Sequence, residues 1–256
     1  MAYFKYHSKN IYYQESGTGT PVIMLHGNTA SSKMFELLLP LYQDEYKVIL
    51  PDFLGNGQSD RLERFPDGIW YHQGLQVIAL AEHLKYDQVH LIGTSGGAWS
   101  ALNAALKRPD LFRSVTADSF DGRTLHPGFS EYLIKDRRFA AGDPNASQFY
   151  EWCQGPDWRQ VVEADTLTLL QYEALSLLPF PEPLSNLAVP LLLIGSKEDP
   201  MLRTDLIDEF KEILKLVPNS QMHIFEHGDH PAILTNAEET AKIIHTFINS
   251  ITQTDT

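Results

Sequence analysis

The stretch Val89-His90-Leu91-Ile92-Gly93-Thr94-Ser95-Gly96-Gly97 decides the fold of this chain. Its first four residues are a short, nearly continuous apolar run, which is typical of a strand covered on both faces. The alanine-rich segment Ala98–Lys107 follows at once and predicts a helix. The pattern G-x-S-x-G at such a strand-to-helix turn gives its serine a strained backbone above the sheet edge. Ser95 is therefore a candidate nucleophile, and the alternative for the pentapeptide alone is a glycine-rich helix cap without chemistry.

Similar apolar runs on both sides of this stretch predict a large sheet. Val22–Leu25, Val48–Leu50 and Leu191–Ile194 are short and apolar throughout, like Val89–Ile92. Segments with helical periodicity separate them, at residues 67–85, 97–108, 201–215 and 236–251. Residues 2–15 instead mix polar and apolar positions, as an antiparallel hairpin would. The alternation of strands and helices predicts an α/β fold with a doubly wound, mostly parallel sheet.

The strand signal disappears between residues 121 and 185. Tryptophan, tyrosine and leucine continue there at helical spacing, and the proline-rich run Leu178–Pro183 predicts an extended return to the sheet. The sequence thus predicts a core of residues 1–120 and 186–256, with a helical cap over residues 121–185.

The composition excludes several classes of protein. The 256 residues are 43% hydrophobic and 21% charged, which favours a globular chain over a disordered one. A formal net charge of −13 disfavours nucleic acids and anionic membranes as partners. Cys153 is the only cysteine, so neither an internal disulfide nor a thiolate-rich zinc site is expected. Because no apolar run reaches roughly 20 residues and Met1–His7 lacks the layout of a signal peptide, we expect a cytoplasmic protein.

Four further segments resemble those of the α/β-hydrolase family. They are the H-G loop His26–Ala30, the P-D-x-x-G-x-G-x-S loop Pro51–Ser59, the acid-bearing turn Gly195–Pro200 and the histidine loop His227–Pro231. Together with G-x-S-x-G they cover nearly the whole predicted core in the family's order and spacing. The resemblance implies an α/β-hydrolase fold, a serine nucleophile and chemistry without a cofactor, whereas the haloalkane dehalogenases of this family have an aspartate where this chain has Ser95.

The order Ser95, Asp199, His230 supplies a catalytic triad. A serine hydroxyl is a poor nucleophile at neutral pH, so an imidazole must take its proton and a carboxylate must orient that imidazole. Asp199 follows an apolar strand, where the sites of open α/β sheets lie, and His230 comes one helix and one strand later. We expect Ser95 as nucleophile, His230 as base and Asp199 as orienting acid.

Each of these assignments has rivals. Glu198 adjoins Asp199, although neighbouring side chains on an extended stretch point in opposite directions. Asp118 and Asp121 follow another strand, Ser114–Ala117, and are alternative acids on the same argument. His227 competes with His230 but lies closer to the preceding strand. A metal cluster of His223, His227, His230 and Asp229 is disfavoured, because Gly228 argues against the helix that would align them.

Candidates for the oxyanion hole and the pocket walls are the residues that directly follow these motifs and core elements. The backbone N–H groups of Gly96, after the nucleophile, and Asn28, after the H-G pair, are the expected oxyanion donors. Phe53, Trp99 and Phe120 each lie just beyond a core element that ends at the site, and we expect them to wall the pocket. The alternative walls are the aromatic residues of the predicted cap.

These residues predict a serine hydrolase of small carboxylic esters, with amides, thioesters and lactones as close variants. A lyase or C–C bond enzyme on the same triad is the alternative, and a binding protein without turnover is a third interpretation. Residues 121–185 contain ten acidic and five basic residues, which disfavours a strongly anionic substrate unless Arg137 or Arg138 turns inward. We expect a small, neutral or weakly charged substrate and no metal; the oligomeric state is not predicted.

Overall fold

A computed structural model describes residues 2–252 and shows one mixed sheet. Within these residues, eight strands lie in the order β1-β2-β4-β3-β5-β6-β7-β8; β2 pairs antiparallel with both β1 and β4, and the other neighbours pair parallel. The strands are β1 Ala2–Tyr6, β2 Lys9–Ser16, β3 Thr20–Leu25, β4 Tyr46–Pro51, β5 Val89–Thr94, β6 Phe112–Asp118, β7 Leu191–Ser196 and β8 Ser220–Phe225. The predicted α/β fold with a mostly parallel sheet is confirmed.

Helices cover both faces of the sheet. The helices of the described residues are α1 Ile69–Leu84, α2 Gly96–Lys107, α3 Phe129–Gly142, α4 Pro144–Gln154, α5 Trp158–Ala174, α6 Leu206–Leu216, α7 Ala232–Thr235 and α8 Ala237–Thr252. Alternate residues of one strand enter different cores: Ile23 and Leu25 pack with α1 and α2, whereas Val22 and Met24 pack with α8. This double coverage explains why the strands are apolar throughout rather than alternating.

The segment Ser32–Leu41 after the H-G loop is a 3₁₀ helix, and it contains Pro40. One helix differs from the sequence-based expectation: α6 begins at Leu206 rather than at residue 201. The reason is local: Asp199 accepts a hydrogen bond from the backbone N–H of Met201 (2.9 Å), which holds this stretch in a turn instead of a helix.

The segment between β6 and β7 contains α3, α4 and α5, which we call the helical insertion (residues 121–185). It is fixed to the sheet domain by polar contacts as well as by packing. The Arg61 guanidinium pairs with Asp157 at 2.8 Å, and the Gln154 side chain donates to the carbonyl of Ala30 and accepts from the N–H of Gly57. None of the helices in residues 2–252 is long and apolar enough to cross a membrane.

Candidate active site

Ser95 occupies a strained turn between β5 and α2. Its φ and ψ are 54° and −126°, a region that residues other than glycine rarely adopt. A Cβ atom at Gly93 would collide with the carbonyl of Gly97, and one at Gly97 would collide with the carbonyl of Leu25. The glycines of the motif therefore permit the close approach of the strand, the turn and the helix. The turn holds Ser95 at the N-terminus of α2, where the helix dipole stabilises negative charge.

His230 and Asp199 form a buried pair beside this turn. His230 Nδ1 lies 2.7 Å from Asp199 Oδ2, and the two side chains are 13% and 0% exposed. Because a carboxylate only accepts hydrogen bonds, Nδ1 carries the proton and Nε2 is left as the basic nitrogen. His230 and Ser95 line the same cavity. The structure thus brings together the three residues predicted as a triad.

Glu198 and His227, the rivals adjacent to this pair, lie elsewhere. They contact each other at 3.0 Å on the surface, where their side chains are 60% and 84% exposed. Within residues 2–252 there is no group of three or more histidine, cysteine or acidic side chains arranged to hold a metal ion.

Asp118, the other acid considered from the sequence, links the nucleophile turn to the histidine loop. Its carboxylate accepts hydrogen bonds from Thr94 Oγ1 (2.6 Å) and from the backbone N–H of Ile233 (3.3 Å). Burial raises the pKa of Asp118 to about 6, although the bond from Thr94 and the nearby His230 oppose the shift. Asp118 therefore braces both loops while the direct contact to His230 belongs to Asp199.

Asp121, the second such acid, is occupied by other partners. Its carboxylate contacts His126 Nδ1 at 2.6 Å and accepts the backbone N–H of Arg203 at 2.9 Å. It lines the same cavity as Ser95. Asp121 thus contributes negative charge to the site while its carboxylate fixes the start of the helical insertion.

The H-G loop is held by the P-D-x-x-G-x-G-x-S loop. The Asp52 carboxylate accepts the backbone N–H of Ser32 and of Gln58, each at 2.7 Å. A Cβ atom at Gly57 would collide with this carboxylate, which explains the glycine of the motif. The two motifs therefore form one unit that places Gly27 and Asn28 beside Ser95; a Cβ atom at Gly27 would lie 2.8 Å from that of Ser95.

Phe53 belongs to this support rather than to the pocket. Its N–H donates to His26 Nε2 at 3.1 Å, its ring packs on the imidazole with centroids 4.9 Å apart, and it is 1% exposed. Phe53 does not line the cavity, so the prediction that it is a pocket wall is wrong. The chain after Asp52 turns under the H-G loop, a direction that the motif alone does not reveal.

The cavity at Ser95 has a volume of about 490 Å³ and a largely apolar lining. Trp99 and Phe120 lie on it, next to each other in an edge-to-face contact with centroids 5.7 Å apart. The helical insertion supplies much of the remaining wall, with Phe129, Leu133, Phe139, Phe149, Tyr150 and Leu169. The site is thus enclosed from both the sheet domain and the insertion.

The sequence of this chain also matches a model of a known protein family. A model described as the alpha/beta hydrolase family matches residues 22–243, which include the H-G loop, the nucleophile turn and the histidine loop. The chain belongs to the α/β-hydrolase family.

Individual known proteins resemble this chain over different lengths. An uncharacterized hydrolase, YugF, of Bacillus subtilis (strain 168) is 37% identical over 111 residues, which are 41% of this chain and only 39% of that protein. A 2-hydroxy-6-oxo-6-(2'-aminophenyl)hexa-2,4-dienoic acid hydrolase of Metapseudomonas resinovorans is 24% identical over 93% of this chain and 87% of its own length. A solved thermophilic esterase from Thermogutta terrifontis covers 95% of this chain and 94% of its own, with a TM-score of 0.74 and 18% identity. This last likeness shows the shared fold.

Arg137, in this α/β-hydrolase, turns inward from α3 and lines the cavity. Its guanidinium donates to Tyr150 Oη (2.9 Å) and pairs with Asp136 (3.1 Å) and Asp165 (3.4 Å). Burial opposes its charge, but the neighbouring tyrosine and carboxylates outweigh this effect and raise the pKa of Arg137. Two carboxylates thus face one cation, and burial raises the pKa of Asp165.

No motif in the sequence singles out Asp165, the buried partner of Arg137. This residue lies on α5 among helical positions that carry no motif, and it is 1% exposed. Its burial within the periodic pattern of α5 was the one available signal, since buried acidic residues are rare unless they are paired.

Proposed function

We propose that this α/β-hydrolase is a serine hydrolase that cleaves small, neutral carboxylic esters. The observation that carries the proposal is the strained Ser95 in one cavity with His230, whose Nδ1 is held by the buried Asp199. This arrangement leaves the basic Nε2 of His230 directed away from Asp199 and available to a hydroxyl in the cavity.

In this mechanism Ser95 Oγ attacks the ester carbonyl and His230 Nε2 takes the hydroxyl proton. The backbone N–H groups of Asn28 and Gly96 stabilise the oxyanion of the tetrahedral intermediate. His230 then returns the proton to the leaving alcohol, and an acyl group remains on Ser95. Water, activated by the same imidazole, releases the carboxylic acid and regenerates the serine.

The lining of the cavity supports the choice of substrate. Trp99 and Phe120 offer apolar walls with few fixed polar groups, which suits a short to medium acyl chain. Asp121 and Asp136 also line the cavity, where they face the single guanidinium of Arg137. Although the Metapseudomonas relative is named for an acid substrate, these charges favour a neutral substrate here. We also propose that the helical insertion is the cap of the site.

We expect a neutral ester to be hydrolysed and its anionic counterpart to be disfavoured by about tenfold or more in kcat/KM. Asp121 and Asp136 outnumber Arg137 along the cavity wall, and at an effective dielectric constant of about 20 two like charges roughly 8 Å apart repel each other by about 2 kcal/mol. The matched substrates are p-nitrophenyl hexanoate and p-nitrophenyl hemiadipate. Their acyl chains have the same length, but the first ends in a methyl group and the second in a carboxylate. Nitrophenol release and acid formation are measured together, because hydrolysis yields both in equal amounts.

Equal or faster turnover of the hemiadipate would assign Arg137 as an anion receptor and contradict the neutral-substrate proposal. Hydrolysis of neither ester, with no acyl group on Ser95 by intact mass, would contradict the esterase proposal and favour the non-hydrolytic alternative on the same triad. Uncatalysed hydrolysis of each ester is subtracted from a parallel sample without protein.

The pH dependence follows from the surroundings of His230. Burial alone would lower the pKa of His230, but the hydrogen bond to Asp199 and the charges of Asp199, Asp118 and Asp121 raise it above its ordinary value. Since the base must be neutral, activity falls on acidification with a midpoint above about 6.5. Asp118→Asn removes one of these charges and shifts the midpoint to lower pH. A kcat/KM profile checks both statements, and a wild-type midpoint below that of an ordinary histidine contradicts them.

A further inference from the structure

The side chain of Asn28 is held from two sides. Its Oδ1 accepts a hydrogen bond from Trp70 Nε1 on α1 (2.9 Å), and its Nδ2 donates to Asp165 Oδ2 on α5 (2.6 Å). One partner belongs to the sheet domain and the other to the helical insertion. The residue whose N–H we assign to the oxyanion hole is thus tied to both parts of the molecule.

Glycine at position 96 makes room for this arrangement. A Cβ atom there would collide with Asn28 Oδ1 and would lie 2.8 Å from Trp70 Nε1. The space beside the nucleophile that a larger residue would occupy therefore contains the Asn28 amide. Both proposed oxyanion donors, Gly96 and Asn28, are consequently in direct contact.

Asp165 is buried and held in turn. Its second oxygen pairs with Arg137 at 3.4 Å, and its side chain is 2% exposed. The 2.6 Å hydrogen bond from Asn28 and the contact with Arg137 engage both oxygens of Asp165, so this side chain restricts the Asn28 amide, while burial raises the pKa of Asp165. The backbone of the adjacent Thr29 adopts φ 58°, so the loop after Asn28 is a strained segment that external contacts must hold.

We infer that Asp165 is a positioning residue that holds the oxyanion-hole loop in place through the Asn28 side chain. This inference rests on the proposed function. The hole is complete when α5 is seated over the sheet domain, because the contact that fixes Asn28 comes from α5. The helical insertion is thereby coupled to the catalytic step as well as to substrate binding.

We expect Asp165→Ala to lower kcat by about 10- to 100-fold while KM changes less than about twofold. Loss of a whole oxyanion donor costs about 10²- to 10³-fold, and a misplaced donor costs less. Affinity for an alkyl trifluoromethyl ketone, which forms a tetrahedral adduct with Ser95, falls by the same factor as kcat. Because Asp165→Ala leaves Arg137 with one carboxylate fewer, Asn28→Ala is the second variant: it keeps the Asp165–Arg137 pair and shows the same loss.

The double variant of Asp165 and Asn28 should lose clearly less than the product of the two single losses, since the hydrogen bond between these residues is absent in each single variant. Asp157→Asn is the matched control. Asp157 anchors the N-terminal end of the same helix to Arg61 but makes no contact with the H-G loop, so kcat stays within about twofold of wild type.

Additive losses in the double variant, or an unchanged kcat in folded Asn28→Ala and Asp165→Ala, would overturn the positioning role while ester hydrolysis through Ser95 stands. An equal kcat loss in Asp157→Asn would reduce the effect to general anchoring of α5 and also overturn it. If wild-type protein hydrolyses no ester and Ser95 forms no adduct with the ketone, the proposed function fails and the inference fails with it.

Discussion

We expect Ser95→Ala to lose turnover by roughly 10⁶-fold in kcat while its fold and thermal stability remain those of the wild type. The missing hydroxyl is the attacking atom, and the hydroxyl of Ser119, which also lines the cavity, is engaged with Asp118 and Ala232. Alanine keeps the Cβ atom that the space next to Gly27 already accommodates. The loss therefore reports chemistry and not unfolding.

The measurement combines steady-state ester hydrolysis with labelling by a fluorophosphonate probe and peptide mass mapping. Ser119 provides the internal control, since it also lines the cavity and has a positive φ of 51°. Its hydroxyl contacts Asp118 and accepts the N–H of Ala232, so it is engaged in structure. A label on Ser119, or an active Ser95→Ala protein, would contradict the assignment of Ser95.

The proximity of the three candidate residues could be predicted from the sequence because each lies on a local motif at the end of a strand. Ser95 follows β5, Asp199 follows β7 and His230 follows β8, and parallel strands bring their carboxyl ends to one edge of the sheet. Asp199 is distinguished from Glu198 by the opposite directions of neighbouring side chains and by its place before Pro200, as in the family pattern. In the structure these two residues do point apart, one to His230 and one to the surface.

The polar cluster under the helical insertion could not be predicted in the same way. Asn28 and Asp165 are separated by 137 positions in the chain, and their contact depends on how α5 lies across the sheet domain. Hydrophobic periodicity predicts that α5 is a helix but not which of its residues meets a given loop. Arg137 shows the same limit. From the sequence one can say only that an inward Arg137 would make an anionic substrate more acceptable, whereas its pairing with two carboxylates is visible in the structure alone.

The residues predicted as pocket walls differ in the same way, according to whether they lie on a helix or on a loop. Trp99 lies one helical turn after Ser95, so its place at the site follows from the geometry of α2 alone. Phe53 lies one residue after Asp52, and its direction depends on the path of an irregular loop. The place of a side chain on a regular element thus follows from its spacing to a known residue. The place of a side chain on a loop depends on distant contacts, such as that between Phe53 and His26.

We expect His230→Ala to be as damaging as Ser95→Ala, and Asp199→Asn to cost about 10⁴-fold in kcat. Without the imidazole no group takes the Ser95 proton, so the two single losses and their combination are equal within error. Asparagine at position 199 presents an amide in place of the acceptor for His230 Nδ1–H, and the imidazole then adopts the wrong tautomer. Rates of ester hydrolysis and of fluorophosphonate labelling are measured for each variant at a pH where wild-type His230 is neutral.

Asp118→Asn is the matched comparison for Asp199→Asn, because both carboxylates are buried and lie near His230. Asp118 bonds to Thr94 and Ile233 but makes no hydrogen bond to the imidazole, so its loss disturbs the loops without removing the orienting partner. We therefore expect Asp118→Asn to keep kcat within about tenfold of wild type. The reverse order, with Asp118→Asn inactive and Asp199→Asn near wild type, would move the orienting acid from the end of β7 to the end of β6. The short contact between Asp199 and His230 would then be structural, and the direction of the imidazole would have to be explained through the loop that Asp118 braces.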